Sequence, residues 1–325
     1  KTVAEAATGT SFTDESYTAP SNSQDAYWYL ITPYTGTLKG LFAQSEIMLY
    51  GTAYKTPATE TFAAADMVYY PWIAQSSTAV NYSWTLDNMG YNPQAPDQNG
   101  DRGLATFHSV GEPAGSKAYF YSPKFSLDGL ENPTLSFWMY HTPTPGAETM
   151  EVLAAAGSDV FESTGTVISR QASEAGWVRH SIPLGAYAGK EWIRVAFCGT
   201  GDAVEDVYID NVSITSRGRF DVAVSALRVP ARIAAGVAVK ASVVITNTGT
   251  DALAETVLAV KDASGKALAE TTVKDLAPDT ERIVELTLPP FATGTAFLTA
   301  TATVEGDATP ADNSTETTIK VVAPV

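Results

Sequence analysis

The chain has 325 residues, of which 20 are basic and 36 acidic, for a formal net charge of −16 and a sequence pI of about 4.5. That balance excludes nucleic acid and anionic lipid as main partners, the single cysteine excludes an internal disulfide, and no apolar run approaches the roughly 18 residues that span a bilayer. At about 150 residues per domain, the length accommodates two or three domains.

In chain order, the first residues, "KTVAEAATGT", lack an apolar signal-peptide core, so either export is not used or the signal lies upstream. "TGTSFTD", "AYWYLITPY" and "SEIMLYG" then read as strands, with Tyr27, Tyr29 and Ile31 on one alternation. "YGTAYKTPATETF" (50–62) is a polar, Pro-containing hinge, and "TFAAADMVYY" holds the single weak helical pattern. From there "ATFHSV", "KAYFYSPKFSL", "TLSFWMYHT" and "EWIRVAFC" are strand-like runs rich in β-branched and aromatic residues, bounded by Gly, Pro, Asn and Asp. In "VYIDNVSI" (207–214), Val207 and Ile209 share one alternation whereas Val212 and Ile214 take the other, so a bulge or break is predicted at Asp210 and Asn211. "TSRGRFDVAV" (215–224) opens a new series of strands, "AVKASVVITN", "ETVLAVKD", "TAFLTATATV" and "TTIKVV", with "NTGT" as a tight turn. The predicted fold class is all-β, a tandem of β-sandwiches.

The segments carry resemblances. Residues 1–54 resemble the C-terminal half of a fibronectin type III domain, through Tyr27, Tyr29 and Ile31 and a turn with Gly40 and Ser45. Residues 55–216, above all "SPKFSLDGLENPTLSFWMY" and the closing "YIDNVSI", resemble the MAM-like jelly rolls of the cleaved-adhesin and choice-of-anchor J families. Residues 217–325, through "FDVAVSALRVPARIAAG", "VVITNTGTDA" and "GDATPADNST", resemble a CARDB-type immunoglobulin-like domain. These resemblances imply adhesion modules of secreted or cell-surface multidomain proteins in Gram-negative bacteria, some of them attached to proteases. The jelly-roll resemblance also implies a structural calcium, with Asp210 and Glu60 at the matching positions. The loop "PDQNGDRG" adds Asp97, Asn99 and Asp101, oxygen donors at alternating positions of the kind Ca²⁺ favours; a plain polar turn explains the same residues. Asp307, Asp312 and Asn313 form an acidic turn that reads as structural. If residues 1–54 are part of a cut sandwich, the chain is the downstream part of a longer protein, and this segment is expected to pack on the jelly roll or to self-associate; a small self-sufficient β unit is the alternative.

Catalytic motifs are missing: there is no Gly-x-Ser-x-Gly, His-Glu-x-x-His or phosphate-binding Gly loop. His108, His141 and His180 fall in separate strands, and Cys198 ends an apolar run as a buried, inert thiol. The reading is therefore that the chain is not an enzyme. Two function classes stay open. One is adhesion or scaffolding toward a host or matrix protein. The other is carbohydrate binding, with Tyr69, Tyr70, Trp72, Trp138 and Tyr140 as candidate stacking residues, although core packing is favoured for Trp138 and Tyr140. A weaker third is an accessory region of a hydrolase whose catalytic domain lies elsewhere.

Overall fold

The computed structural model describes residues 12–15, 17–18, 21, 23–41, 43–45, 47–63, 67–76 and 83–323, and none of them is in an α-helix. The fold is all-β, in two compact units, Lys1–Thr215 and Ser216–Val325. Part of the helical candidate at 61–70 (residues 64–66), and most of "TGTSFTD" (residues 8–11), lie outside the described residues.

The early part of the first unit is one long hairpin rather than separate strands. Its rungs are Gln24–Tyr27 on Met48–Gly51, Leu30–Ile31 on Ala43–Gln44, and Tyr34–Thr35 on Leu38–Lys39. Between rungs the return strand advances one residue more than the outgoing one, so "AYWYLITPY" is cut by bulges into three short pairs. Gly36, at φ +61°, supplies the left-handed residue the tip requires. The Gln24 side chain anchors this hairpin to the rest of the unit: it donates to the Lys124 carbonyl and accepts the Lys124 amide, both at 2.8 Å.

The sandwich that follows has two sheets. One runs Gly176–Pro183, Thr134–His141, Val207–Thr215, Leu104–Phe107, Trp84–Asp87, with Ala58–Glu60 also paired to Val207–Thr215. The other runs Glu162–Ser169, Thr149–Ala156, Ile193–Thr200, Lys117–Tyr121, Ile73–Ser76. Period-two alternation selects what lies between them. On Thr134–His141 the inward set is Leu135, Phe137 and Met139, all 0 % exposed, and they meet Met150, Val152 and Phe197 of the facing sheet. Each such side chain stabilises the fold by roughly 1.5–3 kcal/mol.

The parity change in "VYIDNVSI" is a β-bulge. Ser136 pairs with Ser213 and Trp138 with Asp210, so Phe137 alone spans Asn211 and Val212. Asn211 holds φ +48°, a left-handed conformation that Asn tolerates better than most residues. On its other side the strand changes neighbour at the same place: Val207–Ile209 pair with Leu104–Phe107, and Val212–Ile214 pair with Ala58–Glu60. The two neighbours meet so closely that a Cβ on Gly103 would lie 1.8 Å from the Phe62 carbonyl oxygen.

In the second unit, Val222–Arg228, Val239–Asn247 and Glu281–Leu288 form one sheet. Arg232–Ala234, Ser314–Val322, Gly294–Thr303, Leu253–Asp262 and Ala267–Leu276 form the other. Val222, Val243, Ile245, Leu258, Val260, Ala300 and Ile319 are the centre of its core.

Candidate functional site

Asp210 stands at the bulge, on the sheet face opposite Ile209 and Val212, and is nevertheless 0 % exposed because the 97–102 loop folds over it. Its two oxygens accept the amides of Gln98 (3.0 Å) and Asn211 (2.6 Å). Burial, with the charges of Asp101 and Asp97 added to it, pushes its carboxyl up to about 7 despite those amides. The loop is laced to the bulge through side chains: Asn211 donates to Gln98 Oε1 (2.6 Å), Asn99 donates to both Asn211 Oδ1 and Asp101 Oδ2 (3.1 Å each), and Asp97 accepts the Arg102 amide (2.8 Å). Asp101 Oδ1 is buried without a hydrogen-bond partner.

The charges of Asp97 and Asp101 thus bear on Asp210, and one oxygen of Asp101 is unanswered. Among the described residues no group of three or more His, Cys, Asp or Glu side chains is placed to hold a metal ion by itself, so a cation here would need carbonyl, amide or water oxygens as well. Glu60 stands apart from this set. It pairs opposite the core residue Val212, and its oxygens accept the amides of Phe62 (3.0 Å) and Tyr69 (2.7 Å).

A second polar cluster, invisible in the sequence, pins the loops of the first unit. Arg170, 0 % exposed, donates to Glu148 (3.0 Å), to Glu205 (2.5 Å), to the Thr144 carbonyl and to Thr142 Oγ1. Burial alone would raise the Glu148 carboxyl, but the amides of Glu205 and Val204 and the Arg170 guanidinium outweigh it and hold the group low. Beside it, Asp206 accepts the amides of Ser109 and Val110 and faces His108 Nδ1 at 3.4 Å. His141 and His180, read as separate strand residues, sit on paired strands with their Nε2 atoms 3.0 Å apart. Since the Arg170 carbonyl can only accept, His141 Nδ1 is the donor to it (3.2 Å) and His141 Nε2 receives the proton of His180 Nε2. Cys198 is buried, and burial pushes its thiol up.

The candidate stacking aromatics separate. Trp72 is a core residue, 6 % exposed and stacked on Phe120 at 4.9 Å, so it offers no surface. Tyr69 packs on Tyr54 and Phe125, leaving Tyr70, 55 % exposed, as the accessible member of that trio. Trp138 and Tyr140 are not in the main core: they lie on the outer sheet face, half-buried. Tyr140 is packed against Trp177 and Tyr208. Trp138 pairs with Arg179 on one side and Asp210 on the other. The next register level carries hydroxyls across four strands, Ser181, Ser136, Ser213 and Thr59, with Arg179 donating to Ser136 at 3.1 Å. A cavity of about 770 Å³ elsewhere in the unit has Trp192 in its wall, capped by the Lys124 ammonium 4.6 Å from the ring centre.

No family model matches the chain, and no curated protein matches it. Among solved structures, it is similar to the CARDB domain of a Pyrococcus furiosus protein in complex with di-metal ions, at 20 % identity and TM-score 0.31, covering 34 % of this chain and 100 % of that one. It is also similar to the K1 cleaved adhesin domain of Lys-gingipain from Porphyromonas gingivalis, at 17 % identity and TM-score 0.38, covering 50 % and 98 %. A third is a carbohydrate-binding module in complex with β-1,4-galactotriose, at 13 % identity and TM-score 0.33, covering 45 % and 89 %.

Proposed function

We propose that the chain is a non-catalytic adhesion or scaffold region of a secreted or cell-surface bacterial protein, Gram-negative by the jelly-roll resemblance, whose β units present a contact surface to a host or matrix protein. The observation that carries this reading is the distribution of exposed apolar side chains. Trp28, Leu30, Ile31, Tyr34, Leu38 and Leu41 crowd one hairpin and are all more than half exposed, Leu41 reaching 93 %. Elsewhere exposed apolar residues are scattered. Apolar surface concentrated in one place marks a protein contact, and the same hairpin could serve self-association. Replacing Leu30, Ile31, Leu38 and Leu41 together by Ser tests this by surface plasmon resonance on immobilised matrix proteins and by sedimentation. A loss of at least tenfold in binding, or of a dimer, supports the reading; unchanged behaviour in both overturns it.

Within this reading Asp210, Asp97 and Asp101 hold a structural calcium, with Asn99 positioning the loop. Bound there, the ion would supply the positive charge that answers Asp101 Oδ1 and stabilises Asp210 in its ionised form. A ligand at a hundredfold excess over Kd stabilises the folded state by about 2.7 kcal/mol. The first unit should therefore melt higher in calcium than in chelator, and identical melts would remove the site.

A second reading, glycan binding, is favoured by one observation: Trp138 faces outward beside Arg179 and the row of hydroxyls. A ring for stacking, next to hydrogen-bonding groups on a rigid sheet, suits a sugar. A glycan-array signal abolished by Trp138→Ala would favour this reading over protein adhesion, and a blank array would discard it. In that case the chain would serve as an accessory to a hydrolase.

A further inference from the structure

The second unit contains a buried carboxylate that its own atoms leave half answered. Asp221, at the start of the Val222–Arg228 strand, is 7 % exposed. Its Oδ2 accepts the Thr309 hydroxyl (3.1 Å), whereas its Oδ1 is buried without a partner. The Thr248 hydroxyl lies close enough to favour the ionised form as a hydrogen-bond donor, although its oxygen, buried like Asp221 Oδ1, reaches no partner at full hydrogen-bond geometry. Asp307 adds a second carboxylate: it accepts the amides of Val222 (3.1 Å) and Thr309 (2.9 Å), and its charge bears on Asp221. Asn313, 9 % exposed and closing the same loop, leaves its Oδ1 without a donor as well.

Of the two arginines of the segment, Arg217 pairs with Asp279 (2.7 Å) and donates through Nε to the Thr248 carbonyl (2.6 Å), and Arg219 pairs with Asp251 (2.7 Å). The surrounding turns are also closely pressed: a Cβ on Gly249 would come within 2.8 Å of the Asp221 amide nitrogen. A buried carboxylate oxygen without a well-placed donor is costly, and Asp221 Oδ1 has near it only the hydroxyl of Thr248, on a different turn that meets the same segment. We infer that the second unit binds a hard divalent cation of the calcium type at Asp221, with Asp307, Thr309 and Thr248 as the neighbouring oxygen donors. Carboxylates mixed with neutral oxygens are what calcium takes, the remaining positions being filled by carbonyls or water; the set has no imidazole or thiolate to favour zinc. The acidic turn that reads as merely structural in the sequence is, on this assignment, one wall of a site.

The test uses the full chain, stripped with chelator and dialysed to equilibrium against calcium at pH 7.5, as wild type, Asp221→Asn and Asp210→Asn. Asp221→Asn should lose one bound ion per chain that Asp210→Asn keeps, and calcium should raise the second unit's melting transition in wild type but not in Asp221→Asn. The inference is overturned if Asp221→Asn binds as many ions as wild type, or if the only ion wild type binds is the one lost in Asp210→Asn. It is also overturned if Asp221 proves to be a neutral acid donating to Thr248, which would show as a pH-dependent melt indifferent to calcium. Should Asp221→Asn not fold, Asp307→Asn serves instead, with an affinity loss of at least tenfold expected and an unchanged affinity contradicting the site. None of this depends on calcium at Asp210.

Discussion

Glu148 and Asp221 are both buried carboxylates, one in each unit, yet their units answer them differently. In the first unit the buried Glu148 is answered in full by protein donors, the Arg170 guanidinium and two amides, and Arg170 also holds Glu205, whereas Asp210 and Glu60 have two amides each and are still pushed up by burial. In the second unit Asp221 keeps an empty oxygen. Where internal donors suffice, a buried charge acts as a rivet between loops and needs nothing from solution. Where they run out, an external cation becomes the answer, and Asp210 with Asp101 in the first unit belongs with Asp221 in that class.

The largest effect should come from breaking the rivet. Arg170→Met would leave Glu148 and Glu205 facing each other in the interior without their cation, and removing one partner of a buried ion pair costs about 3–5 kcal/mol. Differential scanning calorimetry should show the first unit's transition collapse while the second unit's stays in place. A loss below about 1 kcal/mol would mean that the amides around Glu148 suffice alone, and the comparison would have to be redrawn.

Asp210 sharpens the same contrast through pH. Its folded carboxyl sits at about 7, against an unfolded value of about 3.9. Between those values the folded state binds the extra proton, so stability is full below about pH 4 and declines as pH rises toward 7. At 1.36 kcal/mol per pH unit, the loss reaches at most about 4 kcal/mol. In chelator, Asp210→Asn should match wild type near pH 4 and exceed it at pH 8; saturating calcium should reverse the order at pH 8. Urea midpoints of the first unit measured from pH 4 to 8 decide it, and parallel curves for the two proteins would refute the assignment.

What the sequence made legible is what alternation encodes. Val207, Ile209, Val212 and Ile214 announced the bulge because a parity change leaves no other local solution, and the strands of both sandwiches follow from period two. Aromatic roles were harder to read, since Trp72 and Trp138 both lie in aromatic-rich stretches; the first is core and the second faces out because Phe137 and Met139 claim the inward positions. The long hairpin was read as strands but not as three bulged rungs, because a one-residue slip between partners has no signature in either strand alone. The Arg170 cluster and the His141–His180 contact were beyond reach for a related reason. Arg170 lies 22 residues from Glu148 and 35 from Glu205, and His141 lies 39 from His180, so only the folded arrangement of strands and their loops brings them together.

The smallest effect concerns the other titrating group at the loop end, His108. Its Nδ1 faces Asp206 and its Nε2 lies 2.7 Å from the Thr85 hydroxyl. The hydrogen bond that His108 donates to Asp206 raises the imidazole's pKa against the opposing effect of burial. A raised pKa means that the folded state favours the protonated ring, so the pair's contribution is complete below the unfolded value of about 6.5 and disappears as pH rises through the folded one. The His108 side chain is 35 % exposed, and solvent screening limits such a pair to about 0.2–1 kcal/mol. Its window therefore begins where that of Asp210 ends. With Asp210→Asn removing the decline below pH 7, the remaining decline of the first unit between pH 6.5 and 8.5 should flatten in Asp210→Asn/His108→Gln. If the decline persists there, Asp206 draws no stability from His108, and the carboxylate is held by the Ser109 and Val110 amides alone, as Glu60 is held by the amides of Phe62 and Tyr69.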